Sequence, residues 1–423
     1  MKPLFLVLGF LLGAFSVAEA APAFKGVEFV PNTTLEGKVM CGYQGWFNTE
    51  GDGANRGWHH WNSNLPTPGN VNVDLWPDMS ELGEDEKFTT GFKHTDGSPA
   101  QVYSAFKKET VLRHFRWMRD YGIDGVWMQR FAGEVSNESG RNHFNTVLQS
   151  AREGARQTGR VYGVMYDLSG VKTGGIDKVI EDWKALCDQM HLTRDARYVR
   201  HGGKPVVAVW GLGFTDDRDP LLGDGMKLLD FLQNDPAYGG NRVMVGVPFH
   251  WRTTDTPAVP HAQMEQLMLK ADIISPWAVG TKNNLEDVRR HADEVLAPDL
   301  EWCRAHGKEY LPVVYPGFSW YNLRHGTTKS DQIPRLKGQF LWTQFLETKK
   351  RGVKMIYCAM FDEVDEGTAI FKVTNDVPDG EGKSKFVGLE GLPSDFYLNL
   401  VGWGTKLLRD EIKPDDPRPL QVP

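Results

Sequence analysis

The carboxylates of this chain crowd most densely in AMFDEVDEGTAIF, Ala359 to Phe371. There an apolar run leads straight into Asp362, Glu363, Asp365 and Glu366 and is closed by Gly367. Like charges packed against the end of a buried strand raise at least one pKa, so one carboxylic acid stays protonated near neutrality while its neighbour ionises. Glycosidic bond cleavage requires such a pair. One group protonates the leaving oxygen, and the other serves as base or nucleophile, roughly 5 to 9 Å away depending on the route. Glu363 and Glu366, three positions apart at a strand end, are the expected pair. The competing chemistry for the same run is calcium, which takes closely spaced oxygen ligands.

Positioning such a pair calls for a rigid frame, and the chain shows one. Eight apolar, β-rich runs recur at 38–46, 124–131, 160–169, 205–213, 242–250, 272–280, 309–318 and 354–363, most of them apolar on both faces, as parallel strands are. Amphipathic helical stretches separate them, clearest at 109–122, 143–159, 334–352 and, after the last strand, 393–411. Strict alternation of strand and helix over eight units predicts a single α/β domain, a (β/α)8 TIM barrel, over 21–423. An open doubly wound sheet would bring a glycine-rich nucleotide loop after its first strand, and none is present. Long loops are expected after the first strand (about 47–108) and the last (about 364–392), both at the face where barrels carry their sites.

Taking the last residues of each strand gives the expected mouth of the barrel. It comprises Tyr43, Gln44 and Trp46, Gln129 and Arg130, Tyr166 and Asp167, Trp210, His250 and Trp251, Trp277, Tyr315 and Asp362. Flat rings mixed with amides, carboxylates and an imidazole suit a polyhydroxylated ring. The 14 Trp of the sequence supply many faces for it, although large aromatics also dominate cores. A net charge of -7 with no Lys/Arg-rich tract argues against nucleic acid or an anionic membrane as partner and favours an oligo- or polysaccharide. No cofactor motif is seen. His59, His60 and His250 with Asp167 offer a metal-assisted alternative, but no HExxH motif accompanies them, and GFSWY (317–321) lacks the second glycine of a serine nucleophile elbow.

The N-terminus places Lys2 before an apolar stretch ending in Ala18-Glu19-Ala20. This is the pattern of a cleavable signal peptide, residues 1–20, and predicts a secreted or periplasmic protein with no membrane span. The four cysteines, at 41, 187, 303 and 358, form neither a disulfide framework nor a zinc pattern. Cys41 and Cys358 fall on the first and last strands, neighbours in a closed barrel.

The runs GYQGWF (42–47), VWMQRF (126–131), MYDLSG (165–170) and DEVDEGT (362–368) resemble the glycoside hydrolase family 71 and 99 group, and more closely the bacterial family 71/99-like proteins. Family 99 endo-acting α-mannosidases carry Glu-Trp-x-Glu-Gly at the corresponding strand end, which maps onto Glu363-Val364-Asp365-Glu366-Gly367. The resemblance implies that Glu363 acts as general base toward the sugar 2-hydroxyl, giving a 1,2-anhydro intermediate, and that Glu366 protonates the leaving oxygen. It also implies an active-site role for Tyr43. Val364 stands where the family has Trp, which alters the expected pocket rim, so mannose specificity is not carried over. A conventional retaining or inverting pair involving Asp167 or Asp362 stays open, as does a non-catalytic carbohydrate-binding barrel.

Overall fold

The computed structural model describes residues 28–216, 218–253 and 261–421; the signal-peptide stretch lies outside them. Eight parallel strands form the frame: β1 Val39–Tyr43, β2 Gly125–Phe131, β3 Val161–Asp167, β4 Lys204–Trp210, β5 Arg242–Pro248, β6 Ile273–Trp277, a split β7 (Glu309–Tyr310 and Val313–Val314) and β8 Ile356–Cys358. Each falls within one of the expected runs, except that β4 begins one residue earlier, at Lys204. Neighbours pair in chain order from β1 to β6, and β1 pairs with β8. The first half of β7 bonds to β6 and its second half to β8, which closes a (β/α)8 ring. The break in β7 falls at Leu311-Pro312, where proline has no N–H to give to the ladder. Pro312 still accepts from Tyr357 N at 3.0 Å.

Side chains alternate across every strand, and this sorts two buried clusters. Met40, Trp127, Met165, Ala208, Met244, Ile273, Leu311 and Tyr357 belong to the cluster inside the ring. Cys41, Val126, Val164, Val207, Val245, Ile274, Val314 and Ile356 belong to the one between ring and helices. The connecting helices include α1 Lys108–Asp120, α2 Glu138–Thr158 and α3 Asp177–Met190. In α2, Asn137 caps the start by accepting from Gly140 N, and Gly159 ends it at φ 69°, the left-handed turn that glycine adopts without a Cβ penalty. No helix among the described residues is long and apolar enough to cross a membrane.

The segments after β1 and β8 meet over the mouth of the ring. The first carries an antiparallel hairpin, Phe88–Lys93 with Pro99–Val102, and a buried carboxylate, Asp74, that accepts from Tyr321 N, Asn322 N and the Ser319 hydroxyl. Val364 O in turn accepts from Asp74 N and Leu75 N, and Val387 N donates to Asp74 O. Thus the loops after β1, β7 and β8 are sewn together around one acid. At the opposite end of the ring, Asp124 is fully buried, accepts from Val39 N at 2.9 Å and is ion-paired to Arg409 just beyond the C-terminal helix Phe396–Leu408. Cys41 and Cys358 stand in register on β1 and β8, both as free thiols.

Candidate active site

A cleft of about 290 Å³ opens at the C-terminal ends of the strands. Glu363 and Glu366 enter it from the β8 loop, with Gln44 and Trp46 from the end of β1 and Gln129 and Phe131 from β2. Met165, Asp167 and Ser169 come from β3, Trp210 from β4, Trp277 from β6, and Met360 from the β8 loop. Three carboxyls and four aromatic rings thus share the space. Trp210 and Trp277 meet edge to face at 5.5 Å and form one wall. Trp46 and Phe131, stacked at 4.9 Å, are also part of the lining.

The two glutamates are held differently. Gln44 Nε2 donates to Glu363 Oε1 at 2.8 Å and the Thr368 hydroxyl to its Oε2 at 3.0 Å, so both oxygens of Glu363 are occupied by donors. Glu366 is partly exposed, and its carboxyl has no hydrogen-bond donor among the described residues. Its backbone is fixed instead: Ser319 N donates to Glu366 O at 3.0 Å. Gly367 follows at φ 65°, where a Cβ would come within 2.9 Å of Ser319 N, so only glycine fits this close approach.

Burial dominates the electrostatics. It pushes Glu366 up to about 7, aided by the charges of Asp365 and Asp167 and opposed by Arg324. It lifts Glu363 well above the ordinary glutamate range, reinforced by Glu366 and Asp365, with the Thr368 and Gln44 donors pulling the other way. Asp362 and Asp365 are likewise raised to about 7, chiefly by burial. Four carboxyls this close, three of them buried, cannot all ionise at neutral pH, so the cluster retains protons.

Among the strand-end candidates, the structure brings Glu363, Glu366, Trp46, Gln129, Asp167, Trp210 and Trp277 to one cleft. Arg130 and Tyr166 are elsewhere. They lie on the outward-facing half of the alternation, where both bind Asp182 of α3: Arg130 through Nε and Nη2 at 2.8 and 2.5 Å, Tyr166 through its hydroxyl at 2.7 Å. Tyr43 also faces outward, stacked on Phe361 and bonded to His114 at 2.8 Å. Tyr315 is buried against Lys282, whose backbone it bonds. His250 lies beside Phe249 beyond the end of β5, outside the cleft lining. Asp362 has turned away from the cleft to accept from Gln44 N and Gly45 N at 2.7 and 2.9 Å, a strap between β8 and β1. Val364 is fully buried in the outer cluster and does not form the rim.

His59, His60 and His250 do not converge. His59 pairs with Glu134 and His60 with Asp365, and no group of three or more metal-binding side chains among the described residues is arranged around an ion. The cleft-lining residues not singled out from the sequence are Phe131, Met165, Ser169 and Met360, and Thr368 supports Glu363 from behind. Phe131 was recoverable, because it sits two positions after Gln129 on the same strand face.

No protein-family model matches the chain, and no curated protein matches it in sequence. Solved structures do. An endo-α-mannosidase of glycoside hydrolase family 99 from Bacteroides thetaiotaomicron superposes with a TM-score of 0.66 at 15% identity, covering 90% of this chain and 100% of that one. A structure of that organism's enzyme in complex with bis-tris propane gives 0.64 at 16%, covering 89% and 99%. A protein described as glycoside hydrolase-like gives 0.52 at 13%, covering 81% and 96%. Over nearly its whole length, then, this chain has the (β/α)8 fold of these endo-α-mannosidases.

Proposed function

We propose that this protein is a glycoside hydrolase acting on an oligo- or polysaccharide. The observation that carries the proposal is the meeting of Glu363 and Glu366 in a cleft walled by aromatic rings at the C-terminal mouth of the barrel. The fold shared with endo-α-mannosidases supports it. The two glutamates differ in the way the roles require. Burial raises both carboxyls, Glu363 the more, but Glu363 has donors on both oxygens, which favour its anion, whereas Glu366 has none; on these contacts the proton that reaches the leaving oxygen is assigned to Glu366.

In the proposed route Glu366 gives its proton to the glycosidic oxygen as the bond from that oxygen to C1 breaks. Glu363 takes the proton of the sugar 2-hydroxyl, whose oxygen closes on C1 to give a 1,2-anhydro sugar. Water then opens this ring at C1, giving one proton to Glu366 while Glu363 returns its own to O2. Both carboxyls end as they began, and the anomeric configuration is retained. Trp210 and Trp277 supply apolar faces for the C–H faces of the sugar. The N-terminal pattern around Lys2 and Ala18-Glu19-Ala20 supports placing this work in the periplasm or the exterior.

The test is a product screen of the purified protein against α- and β-linked glycans, with Glu363→Gln and Glu366→Gln alongside. Each substitution is expected to cut turnover by about 10²- to 10⁴-fold while sugar binding stays measurable. Turnover that survives both would refute the proposal. Loss on Asp167→Asn with Glu363→Gln unaffected would move the second role to Asp167. Binding without any product would make the cleft that of a carbohydrate-binding barrel.

A further inference from the structure

His60 lies outside the cleft lining, yet it touches both halves of the site. Its Nδ1 is 3.4 Å from Oδ2 of Asp365, the residue directly before Glu366 in the β8 loop. The Asp365 side chain is only 3% exposed, and its other oxygen has no partner. Through its ring, His60 lies flat on the Trp46 indole, centroids 3.7 Å apart and planes 7° from parallel. Trp46 stacks in turn with Phe131 at the end of β2. The backbone of His60 is held at φ 61°, a left-handed conformation uncommon for a residue with a Cβ. Adjacent His59 is engaged differently, with Glu134 and Arg56.

We infer that His60 is a positioning residue for the substrate: tethered by Asp365 to the loop that carries Glu363 and Glu366, and stacked on Trp46, it fixes the Trp46–Phe131 part of the cleft relative to the two carboxyls. The physical basis is geometric. A stacked indole moves as a unit with the ring it lies on, and the only hydrogen bond joining that ring to the β8 loop among the described residues is the one to Asp365. This inference deepens the hydrolase proposal and rests on it. It predicts an effect on binding, because His60 itself offers nothing to the reacting atoms.

The experiment compares His60→Ala, which removes stack and tether, with His60→Phe, which keeps the stack alone. KM and kcat are measured on the oligosaccharide cleaved fastest in a panel of α- and β-linked gluco-, galacto- and manno-oligosaccharides. Affinity for the same sugar is titrated in a Glu366→Gln background. His60→Ala is expected to weaken binding and raise KM by about tenfold, the scale of one aromatic stacking contact, with kcat little changed. His60→Phe is expected to fall between it and the parent. Unchanged affinity in both His60 variants overturns the inference, as does a loss of kcat at constant KM. If His60→Ala does not fold, His60→Phe decides alone, and affinity equal to the parent overturns it. A parent that cleaves while these variants match it leaves the hydrolase standing and removes only His60. A parent that neither cleaves nor binds any glycan of the panel sinks both.

Discussion

Glu363 and Glu366 differ in their surroundings more than in their chemistry. Because burial holds Glu366 at about 7, an enzyme that uses it as acid loses kcat as pH rises through about 7, and a kcat–pH profile checks this. The same shift has a stability side. A carboxyl whose folded pKa is raised contributes stability that is present below its unfolded pKa and lost as pH rises through the folded one. Glu366→Gln should therefore raise Tm relative to the parent at pH 8 and leave it nearly unchanged near pH 4, with thermal melts at both pH values as the measurement. An equal effect at both would mean that Glu366 carries no burial penalty. The place of these two residues in the cleft was legible in the sequence because the run of carboxylates follows directly on the last apolar strand, at the face where barrels carry their sites. Asp362 was legible only as an acid; that its oxygens would be consumed by the N–H groups of Gln44 and Gly45 depends on a contact 318 residues away, which no local pattern encodes.

At the scale of elements, all eight strands lie where apolar runs of β-formers predicted them, because strands buried on both faces leave a strong continuous signal. The same property hid which side chains face inward. With both faces apolar, the alternation of Gln129 inward and Arg130 outward, or Met165 inward and Tyr166 outward, leaves no polar and apolar rhythm to read. Parity counted back from Asp167 or Gln129 would have assigned Arg130 and Tyr166 to the helix side, where Asp182 of α3 waits for both. The β8 loop is defined by one further element, Gly367. Gly367→Ala would press a methyl against the Ser319 backbone and impose a strained left-handed conformation costing about 1–3 kcal/mol. We expect a lower denaturation midpoint together with reduced kcat, since the loop also carries Glu366. A variant of parental stability and activity would show that the loop does not depend on this close approach.

For the molecule as a whole, barrel closure and site assembly take place at opposite ends. At the closed end Asp124 holds β1 through Val39 N and takes Arg409 as its cation. Arg409→Ala leaves a buried carboxylate without its guanidinium and should cost about 3–5 kcal/mol by denaturant unfolding with KM unchanged, because this pair is remote from the cleft; a change in KM without loss of stability would contradict that separation. At the open end the loops after β1, β7 and β8 converge through Asp74. That convergence was anticipated only as two long loops on one face, since loop sequences do not record their partners. The assignment of Glu366 as acid and Glu363 as base of a glycosidase is checked by varying the leaving group. The sugar released in the product screen is offered as its glycosyl fluoride, whose departure needs far less protonation than that of a sugar alcohol. The account predicts that Glu366→Gln loses about 10²-fold or more on the glycan and far less on the fluoride, where only its second role, taking the proton of the water, is missing, while Glu363→Gln fails on both. Equal losses on glycan and fluoride for Glu366→Gln would contradict it.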